Sequence, residues 1–272
     1  MQEEHQSLPD TDRLSVLAAT ILLAFSLLPF VQIPERSLVL QVAGITFVFQ
    51  ANFATIITLI SAGLAAAGTA WLLHDHPRLE GQGTYQHWLL PALTTFVIGV
   101  PLNSLKVGLE WWAVLGFGGA LLVLVLIAEY IAVDPYDSRY GPAAVVLTAV
   151  SYALFLILTI ALAAAGSRLY ILIPTFFVAI FLVTLRTLYL RLNGRWMFGW
   201  SLAIAISVTQ MASALHYWPL TPLRFGLILL GPAYALASTA SSIEEGRAWR
   251  TLWVEPVIML LAMWSLAFGL KS

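Results

Sequence analysis

The sequence contains no cysteine, which excludes disulfides, thiolate nucleophiles and thiolate metal sites. Charge is almost as scarce: Asp, Glu, Lys and Arg make up 10% of the 272 residues. A soluble domain carries about 25%, because water must wet its surface. The formal net charge of −1 offers no basic face of the kind nucleic acid requires. There is no Gly-rich phosphate loop and no local Ser-His-Asp signature. No histidine follows His216, so Glu244-Glu245 resembles the paired glutamates of intramembrane proteases only superficially. Long soluble loops are also missing, and with them room for a soluble catalytic domain.

What is present is apolar. Hydrophobic residues make up 60% of the chain, and the mean hydropathy is +0.87. The deficit of polar surface is accounted for if lipid is the outer solvent. The expected fold is all-α, a polytopic transmembrane helix bundle. A span needs about 20 mostly apolar residues. Nine stretches meet or approach that length: 13–33, 51–73, 88–105, 111–133, 142–166, 169–191, 196–217, 222–240 and 251–270. An acidic tail over 1–12, unlike the basic start of a signal peptide, precedes a single helical domain over 13–272. The third and fourth stretches are divided only by Pro101, Asn103, Lys106 and Glu110, so two full spans and a broken or re-entrant pair are both open. The eighth stretch contains Pro232, a kink position. Residues 37–50 are rich in β-branched and aromatic side chains and too short to span. They read as a small hairpin, an interfacial segment or an early start to the second helix.

Orientation follows from the basic residues. One side of a nine-span topology receives Arg13, Arg78, Arg139, Arg186, Arg191, Arg195, Arg247 and Arg250. The other receives Arg36, Lys106, Arg168, Arg224 and Lys271. The richer side places the N-terminus in the cytoplasm and the C-terminus outside. Trp71, Trp88, Trp111, Trp112, Trp196, Trp200, Trp218 and Trp253 fall near the proposed helix ends, where amphipathic rings favour the interface. Glu80, Gly81, Trp88 and Pro91 recur at the same offsets as Glu245, Gly246, Trp253 and Pro256, and Leu192-Asn193-Gly194 echoes Leu79-Glu80-Gly81. A parallel internal repeat would produce this pattern. So would the local preferences of glycine for turns, tryptophan for interfaces and proline for first helical turns.

Ionisable side chains within spans are functional candidates by default. Glu129, Arg186 and Glu255 each lie about one turn from the cytoplasmic end of a stretch, which predicts a carboxylate–guanidinium pair involving Arg186. Arg186, Arg191 and Arg195 together would hold an anionic head group; the plainer reading is topology anchors and structural ion pairs. Asn103 and Lys106, with Glu110, would line a site beside unwound backbone or form a polar turn. Gln210, with Thr209 and Ser213, is the deepest strongly polar side chain and would meet a substrate or hydrogen-bond to a neighbouring helix. His74-Asp75-His76 with His87 matches no strong metal-ligand spacing and reads as a solvated loop. No metal and no cofactor is expected. Small-residue runs at 63–68, 116–120 and 161–166 permit close helix approach, within the chain, in a homo-oligomer or against other subunits of a membrane complex. Three functions fit: a carrier or binder of a small or lipid-like solute with an anionic head group, a non-catalytic scaffold of a membrane complex, and an intramembrane enzyme acting on lipid head groups. The last would need Glu129, Glu255 or His87 as its base. The expected partners are membrane lipids.

Overall fold

The computed structural model describes residues 9–31, 36–42, 45–74, 76, 79, 83–192, 194–248 and 252–269. Nine helices lie within them: α1 (Thr11–Ser26), α2 (Phe53–Leu73), α3 (Leu89–Ser104), α4 (Leu109–Ile131), α5 (Tyr140–Ala164), α6 (Leu169–Arg191), α7 (Phe198–Leu215), α8 (Pro222–Glu244) and α9 (Val254–Gly269). A single hairpin stands between α1 and α2. Its strands β1 (Arg36–Val42) and β2 (Ile45–Ala51) pair antiparallel, with Arg36 opposite Ala51 and Val42 opposite Ile45. The expected hairpin over 37–50 is therefore formed.

Seven segments are long and apolar enough to cross a membrane: Thr11–Phe30, α2, α4, α5, α6, α7 and α8. α3 and α9 have 16 residues each, about 24 Å of helix, against a hydrocarbon core of about 30 Å. The third and fourth stretches are separate helices joined through residues 105–108, and of the two α4 is long enough to cross. Pro101 lies inside α3, which runs on to Ser104. Lys106 lies in the connection and Glu110 in the first turn of α4.

The helix ends follow local chemistry. Asn52 caps α2 by accepting from the Thr55 N–H, and Thr221 caps α8 with Pro222 in its first turn. Gly166 and Gly246, at φ of 62° and 69°, close α5 and α8. Behind them Ser167 N–H donates to Leu162 O and Arg247 N–H to Ser242 O, the bond a left-handed C-terminal glycine permits. The glycine of the Glu245-Gly246 motif thus has a local cause.

The chain divides into two compact units, Met1–Ala143 and Ala144–Ser272. In the first, α2 packs on α3, α3 on α4, and α1 on α2 and α4. Ile21, Phe25, Leu73, Ile98, Trp111, Leu122 and Leu126 form its core. Trp111 was expected at an interface; it is buried instead, its indole N–H donating to Leu102 O. In the second unit α8 packs on α9, α6 on α7, and α7 on α8. Rings of Phe155, Phe176 and Phe225 meet between α5, α6 and α8.

Candidate functional site

The second unit contains a cavity of about 540 Å³. Its lining comes from α5, α6, α8 and α9. The walls are hydrocarbon and thioether, among them Val145, Leu230, Met259 and Met263. Four polar side chains line it: Thr148, Tyr152, Arg191 and Tyr234. Arg191 at the end of α6, Tyr234 on α8 and Glu255 in the first turn of α9 come together.

Each polar group is placed by its helix. Arg191 Nη2 donates to the Tyr234 hydroxyl at 3.0 Å, and its guanidinium lies over that ring at 5.3 Å. Nη1 reaches Ser241 Oγ at 3.4 Å. Tyr234 in turn donates to Glu255 Oε1 at 2.7 Å, and Glu255 stands 3.6 Å from Arg191. Glu255 also lies 4.0 Å from Arg247, which holds Glu245 at 2.6 Å. Tyr152 packs edge-on against Tyr234, ring centroids 5.2 Å apart. Its hydroxyl is buried beside that of Thr187.

The three arginines read as one group in the sequence have different surroundings. Arg191 lines the cavity. Arg186 is wholly buried, its guanidinium 5.3 Å from the Tyr189 ring centroid. Arg195 is largely exposed and pairs with Glu244, which also accepts from the Trp200 indole at 2.9 Å. Glu255 is in the site, on Arg191. Gln210 is exposed on α7, so it is not the buried packing group expected. Asn103 accepts from Asn52 Nδ2 at 3.3 Å, tying the end of α3 to the start of α2. Lys106 is exposed.

The first unit holds a second polar feature. His87 Nδ1 and Glu129 Oε2 are 2.7 Å apart, with side chains 2% and 0% exposed. Gln86 reaches the other ring nitrogen at 3.3 Å. His76 is buried against the edge of Tyr130. The solvated loop expected around His74 and His76 is therefore wrong for His76, and residues 75, 77, 78 and 80–82 lie outside the described residues. No group of three metal-ligating side chains occurs among the described residues. The sequence reading named His87 and Glu129 separately. It missed their pairing, because 42 residues divide them, and it missed Tyr152 and Tyr234, which look like two of many span aromatics. The signal for the tyrosines was weak but present: a phenol deep in a span needs a polar partner.

Long apolar helices around a largely apolar cavity define a polytopic integral membrane protein. The chain belongs to the DUF5656 family, described as protein of unknown function, whose model matches residues 33–269. No curated protein and no solved structure matches the chain.

Proposed function

We propose that the second unit binds a single-chain amphiphile with an anionic head group, and that the protein is a binder or carrier of such a solute. The observation that carries this reading is Arg191, a largely buried cation in the wall of a mostly apolar cavity. A planar guanidinium suits phosphate or carboxylate. The rest of the lining suits a hydrocarbon chain, in keeping with ligand sites that combine apolar walls with a few fixed polar groups. Basic pockets between helices hold acidic lipids in the same manner.

The test is native mass spectrometry of the purified full chain with dodecyl phosphate and, as the uncharged probe, dodecanol. Arg191→Gln should weaken dodecyl phosphate binding about 10- to 100-fold, the worth of a charged hydrogen bond, and leave dodecanol nearly unchanged. Equal retention of dodecyl phosphate by wild type and Arg191→Gln would reject the site. The basic-residue asymmetry supports placing Arg191 and the mouth of the site on the cytoplasmic side. Reporter fusions should then find the N-terminus inside and the C-terminus outside; both ends on one side would reject that orientation.

A further inference from the structure

The cavity-lining Arg191 already has an anion beside it. Glu255 Oε1 lies 3.6 Å from Arg191 Nη2, beyond hydrogen-bond length, and the Tyr234 hydroxyl bridges the two, accepting from Arg191 at 3.0 Å and donating to Glu255 at 2.7 Å. A guanidinium has five N–H donors. Tyr234 and Ser241 are the acceptors for two of those of Arg191 among the described residues, so donor capacity is left over. Glu255 sits in the first turn of α9 with its side chain 43% exposed. Its second oxygen faces another cation, Arg247, at 4.0 Å. Arg247 uses Nε on Glu245 and turns Nη1 toward Glu255. One carboxylate thus stands between two arginines, only one of which lines the cavity.

We infer that Glu255 is the resident counter-ion of the cavity and sets its selectivity for anions. This rests on the reading of the cavity as an amphiphile site. An incoming phosphate or carboxylate head group takes the place of Glu255 at Arg191, and Glu255 turns to Arg247. Every charge keeps a partner before and after the exchange, which avoids the large cost of an isolated buried ion. A neutral head group cannot displace the carboxylate, so it gains nothing from Arg191. Discrimination therefore comes from a built-in competitor as much as from attraction. The long Arg191–Glu255 separation suits this role, because a tight bidentate pair would resist exchange.

The experiment titrates the full chain in lipid nanodiscs with dodecyl phosphate, dodecanoate and dodecanol, read by native mass spectrometry. The first two probes separate a phosphate from a carboxylate preference. Glu255→Gln removes the competing charge and keeps an acceptor for Tyr234. It should tighten binding of the preferred anion about two- to fivefold, the worth of a half-exposed ion pair, and leave dodecanol unchanged. Glu255→Asp keeps the net charge but withdraws the carboxylate by one methylene, and should shift affinity in the same direction. If either folded variant binds the anion equally or more weakly, while Arg191→Gln still abolishes the preference for anions, Glu255 only ties α9 to α6 and this inference is overturned. If the wild type itself binds dodecyl phosphate and dodecanoate no better than dodecanol, the cavity reading fails first and takes this one with it.

Discussion

Replacing Glu129 by alanine tests the buried pair of the first unit most sharply. The carboxyl lies on α4 and meets His87 in the short turn before α3, and both side chains are shut away from solvent. Two costs arise. The imidazole Nδ1 loses its partner inside an apolar bundle, at about 1–3 kcal/mol for an orphaned buried polar group. The truncated side chain also leaves a void, and a penalty of about 24 cal/mol per Å³ adds roughly 1–2 kcal/mol for the volume lost. The sum is about 2–5 kcal/mol. Glu129→Gln behaves differently, since it keeps the volume and still offers an oxygen to Nδ1. Hydrogen bonds between membrane helices average about 0.6 kcal/mol, so Gln should cost about 1 kcal/mol or less. Denaturant unfolding of the purified protein in mixed micelles, followed by tryptophan fluorescence, measures both variants against the wild type. Trp111 in the core of the same unit reports the loss of packing directly. Equal costs for Ala and Gln, or a cost below about 1 kcal/mol for Ala, would refute the reasoning. Either result would mean that the 2.7 Å contact contributes nothing that shape alone does not.

Three further expectations follow from local geometry. A Cβ at Gly99 would collide with the Thr58 side chain, whereas one at Gly63 meets open space. In thermal unfolding, Gly99→Ala should therefore destabilise by about 1–3 kcal/mol, since a β-branched threonine on a helix cannot turn away. Gly63→Ala should stabilise by about 0.5–1 kcal/mol through helix propensity, and the same sign for both would contradict the packing. Asn52→Ala removes the cap on Thr55 N–H and the bond to Asn103; it should cost about 0.5–2 kcal/mol, and a neutral result by denaturant titration would count against the cap. Asp137, outside the spans, accepts from both the side chain and the backbone N–H of Arg139, which holds its carboxyl below the usual carboxylate range. Its folded pKa is depressed, so its contribution is present above the ordinary carboxylate pKa and fades as pH falls through the folded value. Stability measured between about pH 6 and pH 3 should then fall less steeply in Asp137→Asn than in the wild type, and parallel curves would show that the contact with Arg139 does not couple to folding.

Much of this protein is determined by its sequence alone, because lipid imposes a one-dimensional rule. A backbone in hydrocarbon must satisfy its own hydrogen bonds, so an apolar run of sufficient length is a helix whatever surrounds it. The helices α2, α4, α5 and α6 accordingly lie close to the stretches read from composition. The stretch 37–50 was legible as too short and too β-rich to be a span, but composition left a hairpin, an interfacial segment and an early start to α2 equally open. Helix depth was less legible. The 16-residue lengths of α3 and α9 depend on where the chain turns at residues 105–108 and before Val254, and turns leave a weaker compositional trace than spans. Only the tertiary structure decided which polar groups meet. Depth along a helix can be counted from its end, but azimuth against neighbouring helices cannot, because it is set by packing. Glu255 and Arg186 share a depth in the sequence, yet Glu255 stands beside Arg191, five residues further along α6. His87 lies in a turn and Glu129 in a helix, with no periodicity linking them. Tyr152 and Tyr234 come together only because α5 and α8 pack their rings edge-on in the wall of the cavity.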